Sequence, residues 1–372
     1  MRIVHISQHY RPVVGGQEVY IRNLIAAFEK QGHKSTVCQL HRGSSADAPD
    51  VCQVPRLPFA ARLIHGFDSY QLALFAPLFC RKELARADVI IAHYAVSALF
   101  LRKYRAKTIV LSHGIEWKTE VPTWEDKLRE RFARRLFPIF MHVANDTHYL
   151  RHMGIDARAG SGFFQEINRG KWFIPNCVDT EHFRRWPPIP ELAMEKTIFV
   201  PRQITPDRGI DLAIKSFSIL ARRIPDLRLL VAGKVHGQQY MEFLMSLARE
   251  GGAADRVVFM PPIPNEEMPQ YYSSASVTVI PTLRREGTSL SALESMSCGT
   301  ATVSTNVAGL ADLPTLQSPP EPQALAAATE EALRSGLELG ARQQARVQAQ
   351  FNMINWVDAW LAVVDRAKAV RL

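Results

Sequence analysis

Arg184-Arg185-Trp186-Pro187-Pro188-Ile189-Pro190 interrupts the chain at its middle. Prolines at 187, 188 and 190 lack backbone donors and fix φ, so no helix or strand runs through them. Short apolar runs alternate with amphipathic stretches on both sides of the break. Before it, Ile3–Ser7, Ser35–Leu40, Val89–His93, Thr108–Leu111, His142–Ala144 and Trp172–Ile174 read as strands. Gln17–Lys30 places Val19, Ile21, Leu24, Ile25 and Phe28 on one helical face. After it, strands are expected at Thr197–Val200, Leu227–Val231, Val257–Met260, Val277–Ile280 and Thr300–Ser304. Helices are expected between them at Asp207–Arg223, Gln239–Arg249, Glu266–Ser274 and Ser289–Ser297. Continuous apolar runs separated by helices mean parallel strands covered on both faces. The expected fold is α/β, with two facing Rossmann-like, doubly wound domains over residues 1–186 and 187–351 and a cleft between them. Residues 352–372 form a C-terminal helix, expected to pack back toward the N-terminal domain.

Composition narrows the function classes. The 372 residues are 47% hydrophobic and 22% charged, which excludes a disordered chain, a collagen-like fibre or a coiled coil. The longest apolar run, Val89 to Leu101, contains His93 and is shorter than the roughly 18–20 residues of a membrane span. The N-terminus lacks the apolar centre of a signal peptide, so a cytoplasmic protein is expected. Cys38, Cys52, Cys80, Cys177 and Cys298 are widely spaced, which reads as reduced, mostly buried thiols rather than a disulfide framework or a zinc cluster. Charge is uneven. Up to Trp186, 27 Lys and Arg face 17 Asp and Glu, and the whole excess of positive charge lies there. A basic half suggests an anionic partner such as a nucleotide or a membrane surface.

No Gly-x-Gly-x-x-Gly follows these strands and no Gly-x-x-x-x-Gly-Lys-Ser/Thr occurs, which removes the main support for a dehydrogenase or a P-loop enzyme. No Asp-x-Asp or His-x-x-x-His pair offers a suitable catalytic metal site. Four turns carry the candidate chemistry. Gly15-Gly16 leaves bare amides at a helix N-terminus, where the dipole favours a phosphate; alone it reads equally as a tight turn. Arg202 ends the first strand of the second half and Arg208 opens the next helix, so two planar guanidiniums can converge on one anion; alone, they read equally as solvated side chains. In Glu286-Gly287-Thr288-Ser289-Leu290-Ser291-Ala292-Leu293-Glu294, one carboxylate lies in a loop and the other about two turns into a helix. Free amides at Thr288 to Leu290 lie between them. Leu290, Leu293 and Cys298 make this a buried helix, so Glu294 needs a partner. His113, in Ser112-His113-Gly114, can donate to a ligand oxygen or serve as a structural histidine.

This constellation resembles the retaining, family-four glycosyltransferases of the GT-B architecture over nearly the whole chain. The two glutamates followed by Ser295-Met296-Ser297-Cys298-Gly299 are its most specific part. Pro175-Asn176-Cys177-Val178-Asp179 resembles a further family segment. Arg208 stands where the family has Lys, Ser289 where it often has a second Gly, and Cys177 and Pro261 where it has glycines. The resemblance implies that Arg202 and Arg208 bind the donor diphosphate, with Gly15, Gly16, Gly287, Thr288, Ser289 and Leu290 also lining the donor. It further implies that Glu294 holds the ribose, Glu286 the transferred sugar, Ile263 the base, and that His113 lies near the sugar.

The expected activity is transfer of a hexosyl unit from a nucleotide-diphosphate sugar to a saccharide or lipid-linked acceptor, with retention. No metal and no cofactor beyond the donor is expected, and no nucleic acid partner. Bacterial cell-surface polysaccharide or glycolipid synthesis is the expected setting. A nucleotide-sugar-binding protein without catalysis and a GT-B-like sugar-nucleotide epimerase are the alternatives; the intact set of Glu286, Glu294, Arg202 and Arg208 argues against the first, which a donor-hydrolysis assay discriminates, and donor interconversion without an acceptor marks the second. Acceptor contacts are expected from loops around residues 42–67. Finally, Thr123 reads as the cap of a helix on which Trp124, Leu128, Phe132 and Leu136 form an apolar stripe. Lys127, Arg131, Arg134 and Arg135 form a basic ridge beside it. This reads either as a core-facing helix or as a peripheral contact with an anionic membrane, on the inner face of the plasma membrane.

Overall fold

A computed structural model of the chain describes residues 1–12, 16–41, 48–57, 67–158, 162–193 and 196–369. They fall into two compact units. The first draws its described residues from Met1–Arg158, Gly162–Pro175 and Trp356–Leu372, the second from Asn176–Asn355.

The first unit is built on β1 (Arg2–Ile6), β2 (Lys34–Leu40), β3 (Val51–Val54), β4 (Val89–His93), β5 (Thr108–Ser112), β6 (Met141–Ala144), β7 (Gln165–Asn168) and β8 (Lys171–Phe173). Their order across the sheet is β3-β2-β1-β4-β5-β6-β8-β7. Every pairing is parallel except β7 with β8. Helices α1 (Gly16–Lys30), α2 (Phe67–Phe79), α3 (Arg81–Arg86), α4 (Trp124–Leu136) and α5 (Thr147–His152) accompany it. All five residues of β4 and of β5 are buried, as continuous apolar runs under two helical layers require.

The second unit carries β9 (Lys196–Pro201), β10 (Leu227–Ala232), β11 (Val257–Met260), β12 (Val277–Ile280), β13 (Thr302–Thr305) and β14 (Leu316–Ser318), in the order β11-β10-β9-β12-β13-β14 and wholly parallel. Its helices are α6 (Ile210–Ala221), α7 (Gln238–Glu250), α8 (Met268–Ser274), α9 (Leu290–Ser297), α10 (Pro322–Arg334) and α11 (Gly336–Gln350). The expected alternation of strand and helix is present in both units. Among the described residues, no helix is long and apolar enough to cross a membrane.

In each sheet the strand order reverses at the first strand, so β1 lies beside β4 and β9 beside β12. Loops leaving such neighbours at their carboxyl ends diverge and open a crevice. In the second unit those loops start at Arg202 and at Pro281. Residues expected far apart in the chain therefore meet at one point.

The proline-rich run is irregular over 185–189, yet it belongs to the second unit, and the chain leaves the first unit at Pro175 rather than after Trp186. Hydrogen bonds explain the position. The Asn176 amide donates to Thr288 Oγ1 at 2.7 Å, the Trp186 amide to Ser273 Oγ at 3.0 Å, and the Ile189 amide to Ser274 Oγ at 2.7 Å. The last helix, α12 (Met353–Ala369), returns to the first unit from Trp356 onward. There the Trp360 indole donates to the Tyr20 hydroxyl at 2.8 Å, with both side chains buried.

Two glycines let the loops of the second unit approach one another. A Cβ on Gly233, just past β10, would lie 2.1 Å from the Arg202 carbonyl oxygen. One on Gly209, where φ is +70°, would lie 1.9 Å from that of Pro281. Gly252, also left-handed at +67°, has nothing within 4 Å. Gly252→Ala is therefore expected to cost about 1 kcal/mol, the strain alone. Gly209→Ala and Gly233→Ala should each cost about 2 kcal/mol or more, because backbone must move. Urea midpoints compare them; three equal shifts would show that close approach contributes nothing.

Candidate functional site

Arg202 follows β9, and its side chain is 8% exposed. A buried guanidinium needs partners for its N–H groups. Nη2 donates to Thr282 Oγ1 at 3.0 Å and to the Glu286 carboxylate, while Nη1 reaches Ser289 Oγ at 3.4 Å. Its Nε–H has no partner among the described residues. Arg208, about one-third exposed, donates from Nη1 to the same Glu286 oxygen, Oε2. One carboxylate, itself 11% exposed, thus holds two guanidiniums together, and the triad keeps one net positive charge. Thr282 Oγ1 lies 3.3 Å from that oxygen as well.

The segment after Glu286 turns into α9. Ser289 caps the helix by accepting from the Ala292 amide, and Thr288 and Ser289 are buried. Asn176 ties the turn down by donating its amide to Thr288 Oγ1 and its side chain to the Thr288 carbonyl. Gly287 and Leu290 are half-buried. Glu294, on α9, accepts a hydrogen bond of 2.8 Å from the Tyr272 hydroxyl, so the partner that a carboxyl on a buried helix requires is a tyrosine from α8. Burial raises its pKa to about 7, against that hydrogen bond and the nearby charges of His182 and Arg202. Ile263 is half-buried in the loop after β11. Arg202, Arg208, Glu286 and Ser289 are joined by hydrogen bonds, and Thr288 is held by Asn176 beside them.

The first unit holds a column of imidazoles at the β1/β4 reversal. His5 Nδ1 lies 3.3 Å from His93 Nε2, and His93 Nδ1 lies 3.0 Å from His113 Nε2. The last two rings stack with planes 10° apart. Burial lowers the pKa of His5 and of His113 to about 3, and holds that of His93 well below the usual range with a smaller contribution from His113. All three rings are therefore neutral near pH 7, each contact needs one donor and one acceptor, and the tautomer of His113 is set through His93. Tyr20, from α1, meets the His113 ring edge-on at 5.0 Å between centroids. Gly16 is the exposed first residue of α1; Gly15 lies outside the described residues.

On α4, Thr123 forms a capping box with Asp126. Leu136 is buried, Leu128 and Phe132 are half-buried, and Trp124 is 65% exposed. The stripe therefore packs inward over most of its length. Lys127, Arg131, Arg134 and Arg135 are exposed, with Arg134 paired to Glu130 at 2.9 Å.

Known proteins resemble this chain. Residues 14–156 match the glycosyltransferase family 4 domain, and residues 183–350 the domain of glycosyl transferases group 1. The D-inositol 3-phosphate glycosyltransferase of Nocardiopsis dassonvillei is 39% identical over 361 residues, covering 83% of this chain and 79% of its own length. The chain belongs to glycosyltransferase family 4. This family-four glycosyltransferase also matches the GDP-mannose-dependent alpha-(1-6)-phosphatidylinositol monomannoside mannosyltransferase of Mycolicibacterium smegmatis, at 31% identity over 35% of this chain and 37% of that protein. The chain spans 26%, 37% and 41% of the length of three of the curated relatives it matches. Its fold is GT-B: HepE of Anabaena, in complex with UDP, superposes with a TM-score of 0.75 at 15% identity, over 98% of this chain and all of that one.

Several residues of this glycosyltransferase's site escaped the sequence reading. Thr282, Tyr272 and Asn176 act only as tertiary partners, and no spacing rule marks them. Glu116, three residues after His113, left a weak signal as an acid just beyond a buried strand. Burial raises its pKa to about 7, opposed by Arg129 and an Ala95 backbone hydrogen bond.

The elevated pKa of Glu294 has a consequence for stability. A carboxyl held at about 7 binds its proton more tightly folded than unfolded, so stability falls as pH rises from its ordinary 4.5 toward 7. Glu294→Gln removes that loss. The Tm of the native chain should therefore drop relative to the variant between pH 5 and pH 8; parallel Tm curves would assign Glu294 an ordinary pKa.

Proposed function

We propose that this family-four glycosyltransferase moves a hexosyl unit from a nucleotide-diphosphate sugar to an acceptor hydroxyl with retention of configuration, and needs no metal. The observation that supports this reading best is the pair of guanidiniums gathered on Glu286 beside the N-terminus of α9. A departing diphosphate gains charge as the glycosidic bond breaks. Fixed cationic donors stabilise that charge without reorganising. Arg202 keeps an unpaired Nε–H for it, and Arg208 is open enough to turn toward it. As the anion takes over these donors, Glu286 is released to hold sugar hydroxyls. Glu294 takes the ribose, Thr288 to Leu290 offer amides to the phosphates, and Ile263 contacts the base. A donor phosphate oxygen removes the acceptor proton.

The names of the relatives support the substrate class. The Mycolicibacterium enzyme is named for GDP-mannose and a phosphatidylinositol mannoside, and HepE is described with UDP. A saccharide or lipid-linked acceptor in bacterial cell-surface polysaccharide or glycolipid synthesis follows as our reading, in the cytoplasm. The exposed ridge of Lys127, Arg131, Arg134 and Arg135, with Trp124 beside it, fits peripheral contact with an anionic leaflet.

A panel of UDP-, GDP- and ADP-sugars, titrated by calorimetry and assayed for slow hydrolysis in chelator, tests donor class and metal independence together. Arg208→Ala should lower kcat by about 10²–10³ while Tm changes little, because the side chain is partly exposed. Near-normal turnover in that folded variant would end the diphosphate assignment. Glu294→Ala should weaken binding of the free nucleoside diphosphate, and Glu286→Ala should chiefly reduce transfer; equal losses of nucleotide affinity would overturn the division of roles. Sedimentation with anionic but not neutral vesicles, reversed by high salt and by changing the four ridge residues to Glu, is expected for the membrane contact. Equal partitioning onto both vesicles would reject it.

A further inference from the structure

Three of the five cysteines, far apart in the chain, meet in the first unit. Cys38 on β2 and Cys52 on β3 are register partners in a parallel pair, so their side chains share one face of the sheet. That face is covered by α2 and α3, and Cys80 sits at the junction of those two helices. The three Sγ atoms lie within 4.8 Å of one another, and the Cys80 thiol donates to Cys52 Sγ at 2.8 Å. Cys38 and Cys80 are fully buried, whereas Cys52 is partly exposed.

Geometry decides between two uses of such a cluster. Thiolates sharing one zinc ion sit about 2.3 Å from it, which sets them roughly 3.8 Å apart in a tetrahedral site. The Cys52–Cys80 separation is well inside that. It is instead less than 1 Å longer than the roughly 2.05 Å of a disulfide bond. No His, Asp or Glu joins the three sulfurs among the described residues. We propose that Cys52 is a peroxide-reactive thiol and Cys80 its resolving partner, so that a hydroperoxide converts the pair into a reversible disulfide.

The chemistry follows from exposure and hydrogen bonding. The Cys52 thiol is held well below the usual cysteine range, because Cys38 first and Cys80 second donate their S–H to it, against the effect of burial. Cys38 is raised by its hydrogen bonds to Cys52 and to Cys80 and by burial. Cys52, the partly exposed residue of the three, is thus also the one whose thiol is shifted toward its thiolate. It attacks a peroxide oxygen, the O–O bond breaks, and hydroxide leaves to become water with the proton Cys52 gave up. Cys52 is then a sulfenic acid, accessible and beside a second sulfur. Cys80 attacks it, the S–O bond breaks and the S–S bond forms. The second hydroxide takes the Cys80 proton as water. Two thiols are oxidised by two electrons, and one hydrogen peroxide is reduced to two waters. The product ties edge strand β3 to the end of α2.

The test uses the full chain, reduced and then treated with equimolar hydrogen peroxide. Mass spectrometry and thiol counting should show two of the five thiols lost, with a Cys52–Cys80 linked peptide that dithiothreitol reopens. Cys80→Ser should stop at a sulfenic acid on Cys52, trapped by dimedone. Cys38→Ala should slow oxidation several-fold, by removing the hydrogen bond that most lowers the Cys52 pKa. Five thiols remaining after excess peroxide in the native chain would overturn the proposal without any variant. So would stoichiometric zinc that is held by all three cysteines, is lost in Cys38→Ala and protects Cys52.

Discussion

The second unit is organised around one carboxylate between two guanidiniums. Arg202 is nearly buried, and an unpaired buried charge costs several kcal/mol. Glu286 must therefore stand within hydrogen-bonding reach, and the rest of the loop geometry follows from that requirement. β9 and β12 must be neighbours, Gly233 must let β10 pass behind the Arg202 carbonyl, and Gly209 must let the start of α6 approach Pro281. Thr282 fills the remaining gap between Arg202 and Glu286 with a hydroxyl that touches both. Glu286 offsets one of the two positive charges of the triad, and one remains.

The same rule governs the other polar groups near the strand ends. Glu294 lies too deep to stay a free carboxylate, so it holds its proton to about pH 7 and accepts from Tyr272. In the first unit, three imidazoles solve the problem by staying neutral and pairing in single file. A neutral His113 whose second nitrogen is engaged by His93 presents one defined edge to its surroundings.

Much of this was legible in the sequence, and the failures have physical causes. Strands that are buried along their length, such as Val89–His93 and Val277–Ile280, appear as uninterrupted apolar runs and were read at their observed bounds. β7, Gln165-Glu166-Ile167-Asn168, lies at the sheet edge, is half-exposed, and has no apolar run to read. β3 and β14 are edge strands of the same kind. Helices α10 and α11 bury few large apolar residues, so their apolar periodicity is faint. Within the site, Arg202, Arg208, Glu286 and Glu294 stand out because charge at the end of a buried element demands an explanation. Tyr272, Thr282 and Asn176 do not, since a tyrosine, a threonine or an asparagine is unremarkable until its partner is known.

The cysteines show where reading by spacing breaks down. Close spacing identifies thiol clusters that are built on turns and hairpins, where ligands near in sequence are near in space. A parallel sheet works differently: successive strands are joined by long crossovers, and register alone decides which residues face each other. Cys38 and Cys52 became neighbours because Val37 lies opposite Val51 and Leu40 opposite Val54 in the same ladder. Cys80 joined them because α2 ends above that rung. None of these relations leaves a trace in linear distance. In doubly wound folds, a cysteine on a central strand should therefore be compared with the residue at the same register one strand over. That comparison requires only the strand order and the first residue of each strand, both of which the apolar runs largely supply.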